Sequence, residues 1–148
     1  MSKKRAAYPG DVATASELLR LAEEYRQAAL VIAGQGRRGD PISRAPYRLA
    51  AIHAVELYLS AHLLHSGSHP TLVRGLHHDL AARANLAIEN GLVLRKRTAA
   101  HLKAMASSRE YLVTRYGPEL ASTLSQVNRL AATLDEVAAK VRVTIQSA

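Results

Sequence analysis

Cysteine, tryptophan and phenylalanine are all absent from the 148 residues. Without cysteine there is no disulfide, no thiol nucleophile and no thiolate metal site, a composition that suits a reducing compartment. Six tyrosines carry the aromatic content, so platforms for stacking single-stranded bases are scarce. No stretch approaches the roughly 18 uncharged apolar residues of a membrane span. The opening MSKKRAAYPGD also lacks the apolar run of a signal peptide. A soluble, cytoplasmic protein with no membrane partner is expected. Acidic side chains are few as well: 12 Asp and Glu stand against 20 Lys and Arg, for a net charge of +8.

That excess is unevenly placed. Lys3, Lys4 and Arg5 fall in a stretch, residues 1 to 12, that reads as a flexible tail. Arg37, Arg38, Arg44 and Arg48 gather about a Gly- and Pro-containing segment, and Arg95, Lys96, Arg97 and Lys103 form the densest block. Such clusters favour polyanionic partners, RNA or DNA, through release of counterions.

The remaining chain, residues 13 to 148, is long enough for one core and reads as a single all-α domain. Thr14 followed by Glu17 has capping-box spacing and starts a first helix that buries Leu18, Ala22, Tyr25, Ala29 and Ile32. GQGRRGDPISR, residues 34 to 44, has the composition of an exposed loop. Pro46 opens the central helix, Ala45 to Gly67, in which Tyr47, Ala50, Ala51, Ala54, Tyr58, Ala61 and Leu64 recur at helical spacing. Asp79 is the N-cap of a third helix through Glu89, closed by Asn90-Gly91. A fourth starts near Val93, and its end is left open by SSREYLVTRYGPE. From Pro118 onward Leu120, Leu124, Val127, Ala131, Leu134, Ala138, Val141 and Ile145 alternate steps of four and three, which predicts one long final helix. Five helices with short connections make an antiparallel bundle.

Three segments, HAVELYLSAHLLHSG from His53, GLHHDLAARANLAIENGL from Gly75 and TRYGPE from Thr114, together resemble the HEPN domain family (higher eukaryotes and prokaryotes nucleotide-binding). The likeness runs from about Tyr47 to Glu119. It implies a bundle of four or five helices that is commonly a homodimer, and a function drawn from binding RNA, a nucleotide or a partner protein such as a nucleotidyltransferase. It also implies, as an alternative, a metal-independent endoribonuclease of the toxin kind. A purely structural interaction module is the third reading.

Nuclease members of that family use an Arg and a His four to six residues apart, and two pairs here have that spacing: Arg48 with His53, and Arg95 with His101. A histidine near neutral pKa can take the proton of a 2′-hydroxyl while an arginine steadies the phosphorane-like charge. His53, Glu56 and Ser60 form a polar stripe on the apolar central helix. A carboxylate there must find a partner, and the His77-His78 turn, Arg109 and Arg115 are the candidates. Two Arg-Tyr couples, Arg109 with Tyr111 and Arg115 with Tyr116, precede the last helix and are suited to a phosphate and a stacked base. They complete, with Glu56 and His78, the expected nucleotide- or RNA-contacting set. No cofactor is expected, and no metal; His62, His65 and His69 are the side chains a zinc or nickel ion would use.

Overall fold

In the computed structural model, which describes residues 6 to 147, the chain forms seven α-helices and three short 3₁₀ turns, with a single isolated β-bridge between Arg37 and Asp40. The helices are α1 (Ala15–Ile32), α2 (Ala45–His65), α3 (Pro70–Gly75), α4 (Leu80–Glu89), α5 (Lys96–Ser107), α6 (Glu110–Tyr116) and α7 (Val127–Gln146). Lys3, Lys4 and Arg5 lie outside the described residues. Among the described residues no helix is long and apolar enough to cross a membrane.

The centre of the bundle is α2. Residues are buried on nearly every side of it, from Tyr47 to Leu63, because it packs along α1 and α7 and also meets α3, α4 and α6. A helix surrounded in this way has no solvent stripe and needs apolar residues all round. Its polar exceptions Arg48, Glu56, Ser60 and His62 therefore draw on internal partners, although His62 Nδ1 finds none among the described residues. The Thr14–Glu17 capping box that starts α1 forms in both directions, at 3.0 and 2.9 Å. Asp79 caps α4 through the Ala82 amide at 3.0 Å. Gly91, at φ +98°, turns the chain out of α4 where a side chain would be strained.

The antiparallel five-helix reading is corrected in three places. α3, one and a half turns behind Pro70, is an added helix, too short for periodicity to reveal. SSREYLVTRYGPE resolves into the end of α5 and the separate α6. The expected long helix from Pro118 is broken: Pro118–Thr123 is a 3₁₀ turn, Leu124 is extended, and α7 begins only at Val127. Leu120, first residue of the heptad pattern, is 45% exposed, while Leu130 and Val137, outside the pattern, are fully buried. The break has a cause elsewhere in the chain. Ser125 gives its carbonyl to Arg48 at 2.6 Å and its amide and hydroxyl to Glu110, and in an unbroken helix that carbonyl and amide would be spent on helix bonds. Within the stretch expected as a tail, Asp11 pairs with Arg74 of α3 at 2.8 Å and Tyr8 lies under the same guanidinium.

Candidate functional site

Two of the places where polar side chains of the bundle meet hold residues singled out in the sequence. The first is an open groove of about 650 Å³ between the α3–α4 turn and the α5–α6 junction, lined by His77, His78, Arg109 and Tyr111. Behind it the buried Glu56 carboxylate receives His78 Nδ1 at 3.1 Å, so the central helix is tied to the turn that the sequence offered. His53 Nδ1 stands 3.9 Å from the other carboxylate oxygen, and its ring meets Tyr25 edge-on at 4.4 Å. The His78 ring stacks on Tyr111, with centroids 4.9 Å apart. Arg109 is exposed beside them and makes no ion pair among the described residues.

Both edges of this groove are held in an uncommon backbone conformation. His77 and Arg109 have φ of +48° and +49°, the left-handed region that non-glycine residues enter at a cost of about 1 kcal/mol or more. At His77 the cause is visible. Arg83, buried on α4, donates to the Ser60 hydroxyl at 2.7 Å, to the Val73 carbonyl at 3.3 Å and to the His77 carbonyl, clamping the end of α3 against α2. Arg109 serves as the N-cap position of α6, and its carbonyl takes the amides of Leu112 and Val113.

Burial works against the Glu56 charge, but His53, His78 and the more distant Arg83 outweigh it and bring the carboxyl below its ordinary value. A carboxylate depressed in the folded state adds stability above its unfolded pKa of about 4.3, and that stability disappears as pH falls through the lower folded value. Glu56→Gln should therefore leave a flatter acid limb: parent and variant differ most at pH 7, and the difference vanishes once the pH has fallen below the lowered folded pKa. Urea unfolding at a series of pH values measures the difference, and parallel curves would exclude the role.

The second place is buried. Arg48 donates to Glu110 at 3.1 Å, with side-chain exposures of 8% and 0%. Glu110 accepts the Ser125 hydroxyl at 2.8 Å. Ser125 Oγ lies 2.9 Å from His101 Nε2, and His101 Nδ1 lies 2.7 Å from the Thr133 hydroxyl. Burial, with Arg129 and Arg48 nearby, lowers the His101 pKa against the pull of Glu110, so the ring is neutral at pH 7. One proton arrangement satisfies every contact: Thr133 donates to Nδ1, Nε2–H donates to Ser125, and Ser125 donates to the carboxylate. The serine proton is directed to the acid rather than to the imidazole, the reverse of a nucleophile prepared by a general base.

The structure does not bring Arg48 to His53, or Arg95 to His101. A separation of five residues puts Arg48 and His53 on different faces of α2, and Arg95 lies before the first turn of the helix that carries His101. It brings together Arg48 and His101 instead, through Glu110 and Ser125. Arg95 precedes α5, where its amide donates to Glu136 at 2.8 Å, and its side chain is 84% exposed. Arg115 and Tyr116 lie at the far end of α6 from Arg109 and Tyr111, both exposed. His62 is buried against the Asn90 carbonyl at 3.1 Å, its pKa lowered by burial, while His69 caps α3 through the Thr71 amide. His65 is exposed at the end of α2. Among the described residues no group of three His, Asp or Glu side chains is placed to hold a metal ion. Sequence reasoning missed Arg83, Glu110, Ser125 and Thr133. A lone arginine in the apolar run LAARANLAI was the one signal that could have found Arg83.

No protein-family model, no curated protein and no solved structure matches this chain.

Proposed function

We propose that this protein is a HEPN-like domain that binds RNA or a nucleotide in the groove between the α3–α4 turn and the α5–α6 junction, as a homodimer and without efficient catalysis. One observation carries the reading: an imidazole oriented by a buried carboxylate and stacked on Tyr111 stands beside Arg109, which makes no ion pair among the described residues. A base finds a π-face there, and a phosphate finds a guanidinium able to donate in a fork. The absence of efficient catalysis is supported by the two Arg-His pairs pointing apart and by His101 having both ring nitrogens occupied.

Arg109→Gly tests the reading in a way that separates binding from folding. Glycine takes φ +49° freely, so the variant should be more stable than the parent by about 1 kcal/mol. It also lacks the guanidinium. Fluorescence anisotropy with a labelled single-stranded RNA should show affinity reduced about tenfold and a salt slope shallower by about 1. Unchanged affinity in a variant of equal or greater stability would overturn the assignment of this groove. Light scattering on the parent reads the homodimer directly.

A further inference from the structure

A second groove, on another part of the surface, shares nothing with the RNA-contacting set and only Arg48 with the buried network. It has a volume of about 780 Å³ and runs between the loop after α1 and the first turn of α7, with Arg37, Arg38, Arg44 and Arg48 on its walls and Asp40 as its one acidic residue. Arg37 pairs with Asp40 at 3.1 Å and Arg48 with Glu110. Arg38 and Arg44 pair with no acid among the described residues. The groove thus holds an uncompensated positive charge.

One of these guanidiniums, that of Arg44, is also positioned. The loop is folded on itself: Ser43 accepts the Arg37 amide at 2.7 Å and donates to the Asp40 carbonyl at 2.6 Å. Arg44 crosses directly over Gly36, so closely that a β-carbon there would lie 2.8 Å from both its Cγ and one terminal nitrogen. Gly36 has an ordinary backbone, φ −68° and ψ 140°, so the turn itself accepts a side chain there, but a β-carbon would displace Arg44. An arginine laid along a backbone loses less freedom on binding than one waving in solvent.

We propose that this groove binds an oligophosphate chain, two or more linked phosphates bearing multiple negative charges. Arginine forks match phosphate oxygens two at a time. The volume is that of a small-ligand site, within the usual range of about 300–1,000 Å³, and guanidiniums gathered on one wall, with Arg44 laid along the backbone, suit a short dense anion better than an extended acidic chain. A second copy of this protein, carrying the same +8, is a poor occupant. The inference is independent of the RNA-binding proposal, whose groove shares no lining residue with this one.

Titration calorimetry of the full chain with inorganic tripolyphosphate tests it. Arg38→Ala with Arg44→Ala should weaken binding by more than about tenfold. Lys96→Ala with Arg97→Ala, removing the same charge from an exposed block elsewhere, should change it by less than about twofold. Gly36→Ala supplies the sharper control, because it keeps every charge and only displaces Arg44; a loss of about fivefold, with unfolding unchanged, is expected. ATP bound tighter than tripolyphosphate would assign the chain to a nucleoside carrier, and ATP bound equally or more weakly to the free chain. The proposal is overturned if the two double variants lose affinity equally, if Gly36→Ala binds as the parent does, or if a hexaglutamate peptide binds as tightly as tripolyphosphate.

Discussion

Glu110→Ala should lower the unfolding free energy by about 3–5 kcal/mol, a large share of what a domain of this size possesses. The size follows from what is stranded. Arg48, with 8% of its side chain exposed, loses the carboxylate that faces its Nη1 and keeps only the Ser125 carbonyl. Ser125 loses the acceptor for its hydroxyl and its amide, and the extended link into α7 loses its anchor. A buried charge left without its partner costs more than the pair ever contributed, because the guanidinium still has to leave water. Replacing both members, Arg48→Met with Glu110→Leu, should recover most of the loss despite deleting every polar contact. Guanidinium unfolding of the parent, the two single variants and the double variant closes the cycle. A single Glu110→Ala loss under about 1 kcal/mol would show that the pair is hydrated in solution.

That network also marks the boundary of what the sequence discloses. Features fixed by neighbours along the chain were legible: the Thr14–Glu17 box, the Asp79 cap and α4 to its last residue, and the Ala45 start of the central helix. Each depends on three or four residues whose mutual distances are set by helix geometry. Glu56 was legible for a different reason. A lone carboxylate in an apolar helix has to be met by something, and few polar side chains were near enough in sequence to the ends of that helix. The end of the bundle was not legible. The repeat from Leu120 to Ile145 is real as a pattern, but its first members belong to a segment that bends away because Arg48 and Glu110, 77 and 15 residues distant from Ser125, take its polar atoms. Local periodicity cannot see a competitor so far away. Arg-His spacing has the same limit, since a motif four to six residues long says nothing about which side of the helix is buried.

Arg83 carries the second large effect, and it joins stability to the candidate RNA-binding groove. Its guanidinium is the sole partner seen for the Ser60 hydroxyl and holds the carbonyls of Val73 and His77, the residue in the left-handed conformation at the groove edge. Burial lowers its pKa, with Glu56 and Asp79 acting in the opposite sense, and the side chain stays protonated because an arginine starts so high. Arg83→Met preserves most of the packing volume but leaves three polar groups unmet, those of Ser60 and Val73 in buried contacts, a loss of about 3 kcal/mol. Lysine should not rescue it, since a single ammonium cannot reach three acceptors arranged around a planar fork. The consequence for the groove is specific. Freed from Arg83, His77 should relax toward negative φ, the α3–α4 turn should loosen, and His78 should lose its register against Glu56 and Tyr111. Hydrogen exchange should therefore quicken over residues 73 to 79 well before it quickens in α2, and RNA affinity should fall although no residue of the proposed contact set has been touched. If exchange rises uniformly across the bundle instead, Arg83 is only a stability element, and the groove does not depend on its clamp.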